Sequence, residues 1–177
     1  MLSGKSFLPS LCYNIQRMRT IATHLQPFRF AANSTSVERL ADLSEADARR
    51  LAELAHQLTP DARFDADRLR PAIRHGETLV FAIRSRGRII ASAAAVRFAT
   101  PTDEHWRLED VVVDGKHRGK GLGRRLMDGV LLALKRMNVR KIELTSRPSR
   151  VAANALYRSL GFTRRTTNVY EYVLPRP

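Results

Sequence analysis

Arg118, Gly119, Lys120, Gly121, Gly123, Arg124 and Arg125 fall within one short stretch that follows the β-branched run Val111-Val112-Val113. Residues of these types at this spacing can hold a phosphate. An apolar strand breaks into a turn with glycines at alternate positions, and Leu122 and Leu126 then begin an amphipathic helical pattern. The first N–H groups of a helix have no intrahelical partner and sit at the positive end of its dipole. Glycine lets an anion approach those amides closely, and the cationic side chains add charge. Two arginines in a first turn oppose the macrodipole, so a bound anion relieves a local cost.

Two common phosphate loops are excluded by spacing. A P-loop needs four residues between its first glycine and Gly-Lys, followed by a hydroxyl residue for magnesium. Here three residues separate Gly115 from Gly119-Lys120, and Gly121 follows. The dinucleotide fingerprint needs G-x-G-x-x-G and a long doubly wound sheet after it. Gly119, Gly121 and Gly123 are spaced otherwise, and too little chain remains.

The pattern that does fit is Arg-x-x-Gly-x-Gly, at Arg118, Gly121 and Gly123. It resembles the acetyl-CoA pyrophosphate loop of the GNAT superfamily of N-acetyltransferases. Asn154-Ala155-Leu156-Tyr157-Arg158-Ser159-Leu160-Gly161-Phe162 resembles that family's later helix, and Leu108-Glu109-Asp110-Val111-Val112-Val113 its central strand, particularly in the glucosamine-phosphate acetyltransferase branch. The likeness spans about residues 36–174. Gly115 stands where the family often has Pro, and His117 where it often has Tyr.

The resemblance implies acetyl-CoA as co-substrate, held by Arg118, Gly119, Lys120, Gly121, Leu122, Gly123 and Arg124, with Val111, Val112 and Val113 pairing with the pantetheine arm. It implies that Asn154 bonds the same arm and that Tyr157 protonates the departing thiolate. Asn154 and Tyr157 are three residues apart and share one helix face. Read without the family, Tyr157 is a packed amphipathic ring with its hydroxyl in water.

Amine acetylation also needs a proton acceptor. Glu109 is the candidate: strand alternation places Arg107, Glu109, Val111 and Val113 on one face and Asp110 on the other. A carboxylate among valines is partly desolvated, which raises its pKa. The alternatives are a salt bridge to a nearby arginine, a water relay in its place, and His105 as the base. The five histidines lack metal-ligand spacing, so no metal is expected. The arginines around the last helix (Arg147, Arg150, Arg158, Arg164, Arg165) form a solvated rim or receive an acidic group.

Positioning these residues requires an ordered set of elements. Val37–Leu43 reads as a short strand; Ser44 then caps a helix carrying Leu51, Leu54, Ala55 and Leu58 at helical spacing. A second helix ends near His75-Gly76. Thr78–Ile83 and Arg88–Phe98 form a hairpin, and Trp106–Val113 is the next strand. Helix Gly121–Met137, strand Lys141–Thr145 and helix Arg150–Leu160 follow, with Gly161 at the helix C′ position. Phe162–Arg164 and Val169–Leu174 are expected as closing strands. The expectation is α/β: the GNAT fold, a mixed, mostly antiparallel central sheet of six to seven strands flanked by about four helices.

With 177 residues, 44% hydrophobic and 27% charged, the chain is an ordinary globular domain by length and composition. No apolar run approaches a membrane span. One cysteine, Cys12, forms no internal disulfide. Thirty-one Lys and Arg against 17 Asp and Glu leave a net charge of +14. Such an excess suits a solvated basic surface or an acidic partner, CoA included. It also leans toward an anionic acceptor such as a phosphosugar amine; no aromatic-basic nucleic-acid motif accompanies it.

The first 37 residues lack Asp and Glu. We expect 1–34 to be a poorly ordered extension, with a transit peptide or an over-extended start before Met18 as other readings, and 35–177 to be the acetyltransferase domain. The expected activity is acetyl transfer from acetyl-CoA to a primary amine in a direct ternary complex, in the cytoplasm, since no cysteine stands in the motif region to carry an acyl group. A homodimer is compatible with this. The alternative is a catalytically idle fold of the same kind that binds CoA or nucleic acid as an adaptor.

Overall fold

The computed structural model describes residues 36–175, so the extension expected over 1–34 lies outside them. The described residues form two units, one running to Thr145 and the other from Ser146.

The first unit is a five-stranded sheet in the order β1 (Val37–Arg39), β2 (Thr78–Ser85), β3 (Arg88–Ala99), β4 (Glu104–Val113) and β5 (Glu143–Leu144). All neighbours are antiparallel except β4 and β5. Helices α1 (Glu45–Leu58) and α2 (Ala66–Arg74) precede the β2–β3 hairpin, and α3 (Leu122–Arg136) follows β4. The Ser44 hydroxyl caps α1 by accepting the Asp47 N–H at 3.1 Å, and the Asp65 carboxylate caps α2 by accepting the Arg68 N–H at 3.0 Å.

The pairing register assigns the faces. Val80 and Ala82 on β2 lie opposite Ala94 and Ser92 on β3, which lie opposite Glu109 and Val112 on β4. Onto this face α1 and α2 bring Leu51, Leu54 and Ile73, which pack with Val80, Ala82 and Val112. Val37 pairs with Ile83 and points the other way, toward α3. There Gly129 lets the helix approach so closely that an added Cβ would lie 2.8 Å from the Val37 Cβ. Leu126, Met127, Val130 and Leu134 bury the rest of that helix face.

The second unit holds α4 (Val151–Ser159). Gly161, at φ +90°, ends it in a Schellman turn: the Phe162 N–H donates to Tyr157 O at 3.0 Å, and the Gly161 N–H donates to Arg158 O at 3.0 Å. The apolar contact that accompanies such turns is the Tyr157–Phe162 ring pair, edge to face at 5.9 Å.

The fold class holds, while the strand inventory is smaller than expected. Among the described residues there are five strands; Phe162–Arg164 and Val169–Leu174 join no ladder, and Val169, Tyr170, Tyr172, Val173 and Leu174 are exposed. Alternation sets the faces a strand would show, but a distant partner must supply the ladder. For the same reason Val37–Leu43 and Lys141–Thr145 pair over only three and two residues.

Candidate active site

The loop after β4 begins at Asp114, whose carboxylate accepts the Lys116 N–H at 3.0 Å and caps a single 3₁₀ turn, Gly115–His117. Arg118 folds back on the strand end, its Nε donating to Val113 O at 3.1 Å. Gly119 and Gly121 then adopt φ +75° and +71°, a left-handed backbone that side chains with a Cβ rarely enter. Gly121 is the N-cap of α3.

That helix start differs from the other two in its unit. Helices α1 and α2 have a side-chain cap and an acid in the first turn; α3 has neither, and Arg124 and Arg125 stand there instead. Its N-cap, Gly121, offers no side-chain acceptor at the positive end of a 15-residue helix. Arg118, Gly119, Lys120, Gly121 and Arg124 are exposed, Gly123 is half-buried, and Leu122 is buried in the core. Six of the seven expected loop residues are thus open to solvent or partly so, and Leu122 anchors the turn in the core.

The strand leading into the loop carries the second feature. Ser92 pairs with Val112 and Ala94 with Glu109, so Asp110 and Val111 together face Ala93. This is a β-bulge, with Asp110 at φ +50°. It corrects the alternation expected for β4. Arg107 and Glu109 do share a face, but the extra residue brings Val112 onto that face and turns Val113 to the other. A bulge leaves the extra residue outside the ladder and frees backbone groups for other partners.

Glu109 is half-buried, and desolvation pushes its carboxyl above the ordinary range; Arg107 opposes that and Asp110 adds to it. Arg107 Nε is 3.9 Å from Glu109 Oε1, and the Arg107 guanidinium also covers the Phe98 ring at 5.4 Å. His105 stacks on that ring at 5.2 Å.

Beside the bulge lies a cleft of about 70 Å³ between the sheet and the first two helices. Leu51, Ala55, Phe64, Leu69, Val80 and Val112 give it apolar walls, Ser92 and Asp110 are its polar residues, and no Lys or Arg lines it. The sequence carried no motif for this cleft, because its walls come from five elements far apart along the chain.

In the second unit, Tyr157 is half-buried and its phenol is held above its usual pKa by burial, against a smaller opposing effect of Arg150. It therefore keeps its proton at neutral pH. The Asn154 amide donates to Arg147 O at 2.9 Å and Arg150 O at 3.1 Å, so its N–H groups brace the start of α4 and its oxygen remains an acceptor. Among the described residues, no cluster of three or more His, Cys, Asp or Glu could hold a metal, and no helix is long and apolar enough to cross a membrane.

The profile of the Acetyltransferase (GNAT) family matches residues 38–162. The N-alpha-acetyltransferase RimI of Mycobacterium tuberculosis is 34% identical over 128 residues, covering 69% of this chain and 76% of that protein. Glucosamine-6-phosphate N-acetyltransferase of Arabidopsis thaliana superposes with a TM-score of 0.63 at 23% identity, over 79% of this chain and 99% of that one. A predicted acetyltransferase of Clostridium acetobutylicum, solved with acetyl-CoA, gives a TM-score of 0.64 at 15% identity, over 78% of this chain and 96% of that one. The structural likenesses, at these identities, speak to the fold.

Proposed function

Since the chain belongs to the GNAT acetyltransferase family, an acyltransferase family, we propose that it moves an acetyl group from acetyl-CoA to the α-amine of a polypeptide in a direct ternary complex. The observation that carries the cofactor half is the start of α3, which has a glycine N-cap and two arginines where its neighbours have side-chain caps and acids. The pyrophosphate lies over Gly119–Arg124 and the pantetheine arm runs along the β4 bulge.

The acceptor half rests on the cleft. A phosphosugar would need cations to meet its phosphate, and the lining has none. An ammonium finds Asp110 at the rim and Glu109 on the same strand, while apolar walls suit a side chain next to the amine. The similarity to the mycobacterial N-alpha-acetyltransferase supports the same acceptor. The anionic acceptor expected from net charge is therefore set aside in favour of a peptide amine.

In this reading Glu109 takes the proton that makes the amine a nucleophile. The amine nitrogen then bonds the acetyl carbon and gives its surplus proton to water, the C–S bond breaks, and the thiolate takes a proton from Tyr157, which water reprotonates. Its raised pKa keeps Tyr157 a donor at neutral pH. Soluble enzyme in the cytoplasm is the setting that goes with these substrates.

The test is thiol release from acetyl-CoA with three acceptors: a peptide with a free N-terminus, the same peptide acetylated there, and glucosamine 6-phosphate. Release with the first alone is expected. Equal release with the phosphosugar overturns the acceptor, and binding of acetyl-CoA without release on any of a wide amine panel restores the idle-adaptor reading.

A further inference from the structure

Arg50 is the one buried cation among the described residues, 7% exposed, and the acetyl-transfer chemistry does not use it. It sits on α1 between Asp47 and Leu54, each about one turn away, so its stem lies along the apolar stripe of that helix. Its guanidinium is fully engaged. Nε donates to Ile89 O at 2.7 Å, Nη1 to Glu53 Oε2 at 2.6 Å, and Nη2 to the Asp114 carboxylate. Asp114 is the residue that caps the first turn of the phosphate loop. Seven residues along α1, Gln57 Oε1 accepts the N–H of Gly115, the next loop residue, at 2.9 Å.

A buried ion pair is a poor source of stability, since desolvation offsets most of its attraction, and an apolar side chain of similar size commonly does as well. A planar fork with fixed donors does something an apolar side chain cannot: it fixes the position of a carboxylate. Here that carboxylate sets the entry of a loop whose two left-handed glycines give it wide conformational freedom. The same helix carries Leu51 and Ala55, two walls of the apolar cleft.

We propose that Arg50 and Gln57 are positioning residues that clamp the entry of the phosphate loop, at Asp114 and Gly115, to the helix forming the acceptor wall. The clamp holds the loop in its anion-ready form before the cofactor arrives, which lowers the ordering cost of binding. It rests on the acetyl-CoA reading of that loop. Because one rigid helix carries both contacts, the cleft wall and the loop are held in a single register.

The test uses the full chain with Gln57→Ala, which removes one exposed acceptor, and Arg50→Lys, which keeps the charge and loses the fork. The acetyl-CoA KM rises about fivefold in Gln57→Ala and about tenfold or more in Arg50→Lys, as expected when the competent loop population falls. The kcat at saturating acetyl-CoA stays within about twofold, the signature of lost binding rather than lost chemistry. Gln57→Glu retains an acceptor oxygen and recovers most of the KM. In the ligand-free protein, amides from Gly115 to Gly121 exchange hydrogen faster in Gln57→Ala and Arg50→Lys, while those of β2 and β3 do not. Loop exchange unchanged from wild type, or lowered melting temperatures with an untouched acetyl-CoA KM, overturns the clamp. If the wild type shows no affinity for acetyl-CoA, the cofactor reading falls, and loop exchange still decides whether the clamp exists.

Discussion

The loop at the start of α3 and the cleft beneath α1 and α2 adjoin the same end of β4 and are built by opposite means. Seven consecutive positions make the loop, and what it offers to solvent is glycine backbone and cationic side chains. The cleft takes its walls from α1, α2, β2, β3, β4 and the segment before α2, and presents almost only carbon. A nucleotide cofactor with fixed charge suits the first kind of site. An acceptor told apart by the shape next to its amine suits the second. The contrast also says where substitutions can act. Changes in the loop alter charge and backbone conformation with little effect on packing, whereas changes in the cleft alter volume.

The largest expected effect comes from the loop. Gly121→Glu forces a Cβ onto a left-handed backbone and a carboxylate into the pyrophosphate space, and like-charge contact of that kind costs several kcal/mol. Acetyl-CoA affinity by calorimetry falls by at least about a hundredfold. An unchanged affinity in folded Gly121→Glu protein breaks the contrast at its cationic end.

Tyr157→Phe tests the chemistry apart from both binding regions. Loss of a general acid lowers kcat by about 10²–10⁴-fold, with acetyl-CoA affinity retained. Wild-type turnover would assign Tyr157 wholly to its Schellman contact with Phe162.

Glu109→Gln is expected to lower kcat by about ten- to a hundredfold, because a half-exposed site admits a water relay for part of the work. Its pH profile sharpens the assignment. Desolvation raises the Glu109 carboxyl above the usual range, so the active carboxylate form appears only as pH climbs through that raised value. Wild-type activity rises through this limb, and Glu109→Gln loses it. A limb that survives the substitution assigns the titration to another group.

The smallest effect is on stability. Gly129→Ala gains helix propensity but sets a Cβ 2.8 Å from the branched Val37 side chain. Overpacking outweighs propensity, and the net loss is about 1 kcal/mol in denaturant unfolding. Acetyl-CoA affinity is retained, since Gly129 lies about two helical turns from the loop, on the face packed against Val37.

What the chain revealed before its structure follows the same division. The loop was legible because its determinants are contiguous: glycine spacing, a preceding β-branched run and a following amphipathic pattern. Helix ends were legible for the same reason, with Ser44 as a side-chain cap and Gly161 as a left-handed stop. The bulge at Asp110 was not, since alternation carries no mark of an inserted residue, and Glu109 and Val112 ended on one face through it. Pairing failed in the same way at the chain end, where Val169–Leu174 alternates yet joins no ladder. The Arg50–Asp114 contact spans 64 positions, and its only local trace is a charged residue inside an apolar helical stripe.

The most direct test of the division between cofactor loop and acceptor cleft is a crossed pair of Michaelis constants. Lys120→Glu changes only the loop, and Ala55→Leu fills the cleft with a residue that is also a strong helix former. Steady-state thiol release with a free-amine peptide gives both constants for each protein. A separate loop and cleft predict that Lys120→Glu raises the acetyl-CoA KM by about tenfold and spares the peptide KM, with Ala55→Leu doing the reverse. Both variants moving the same constant, or neither moving either, would contradict it.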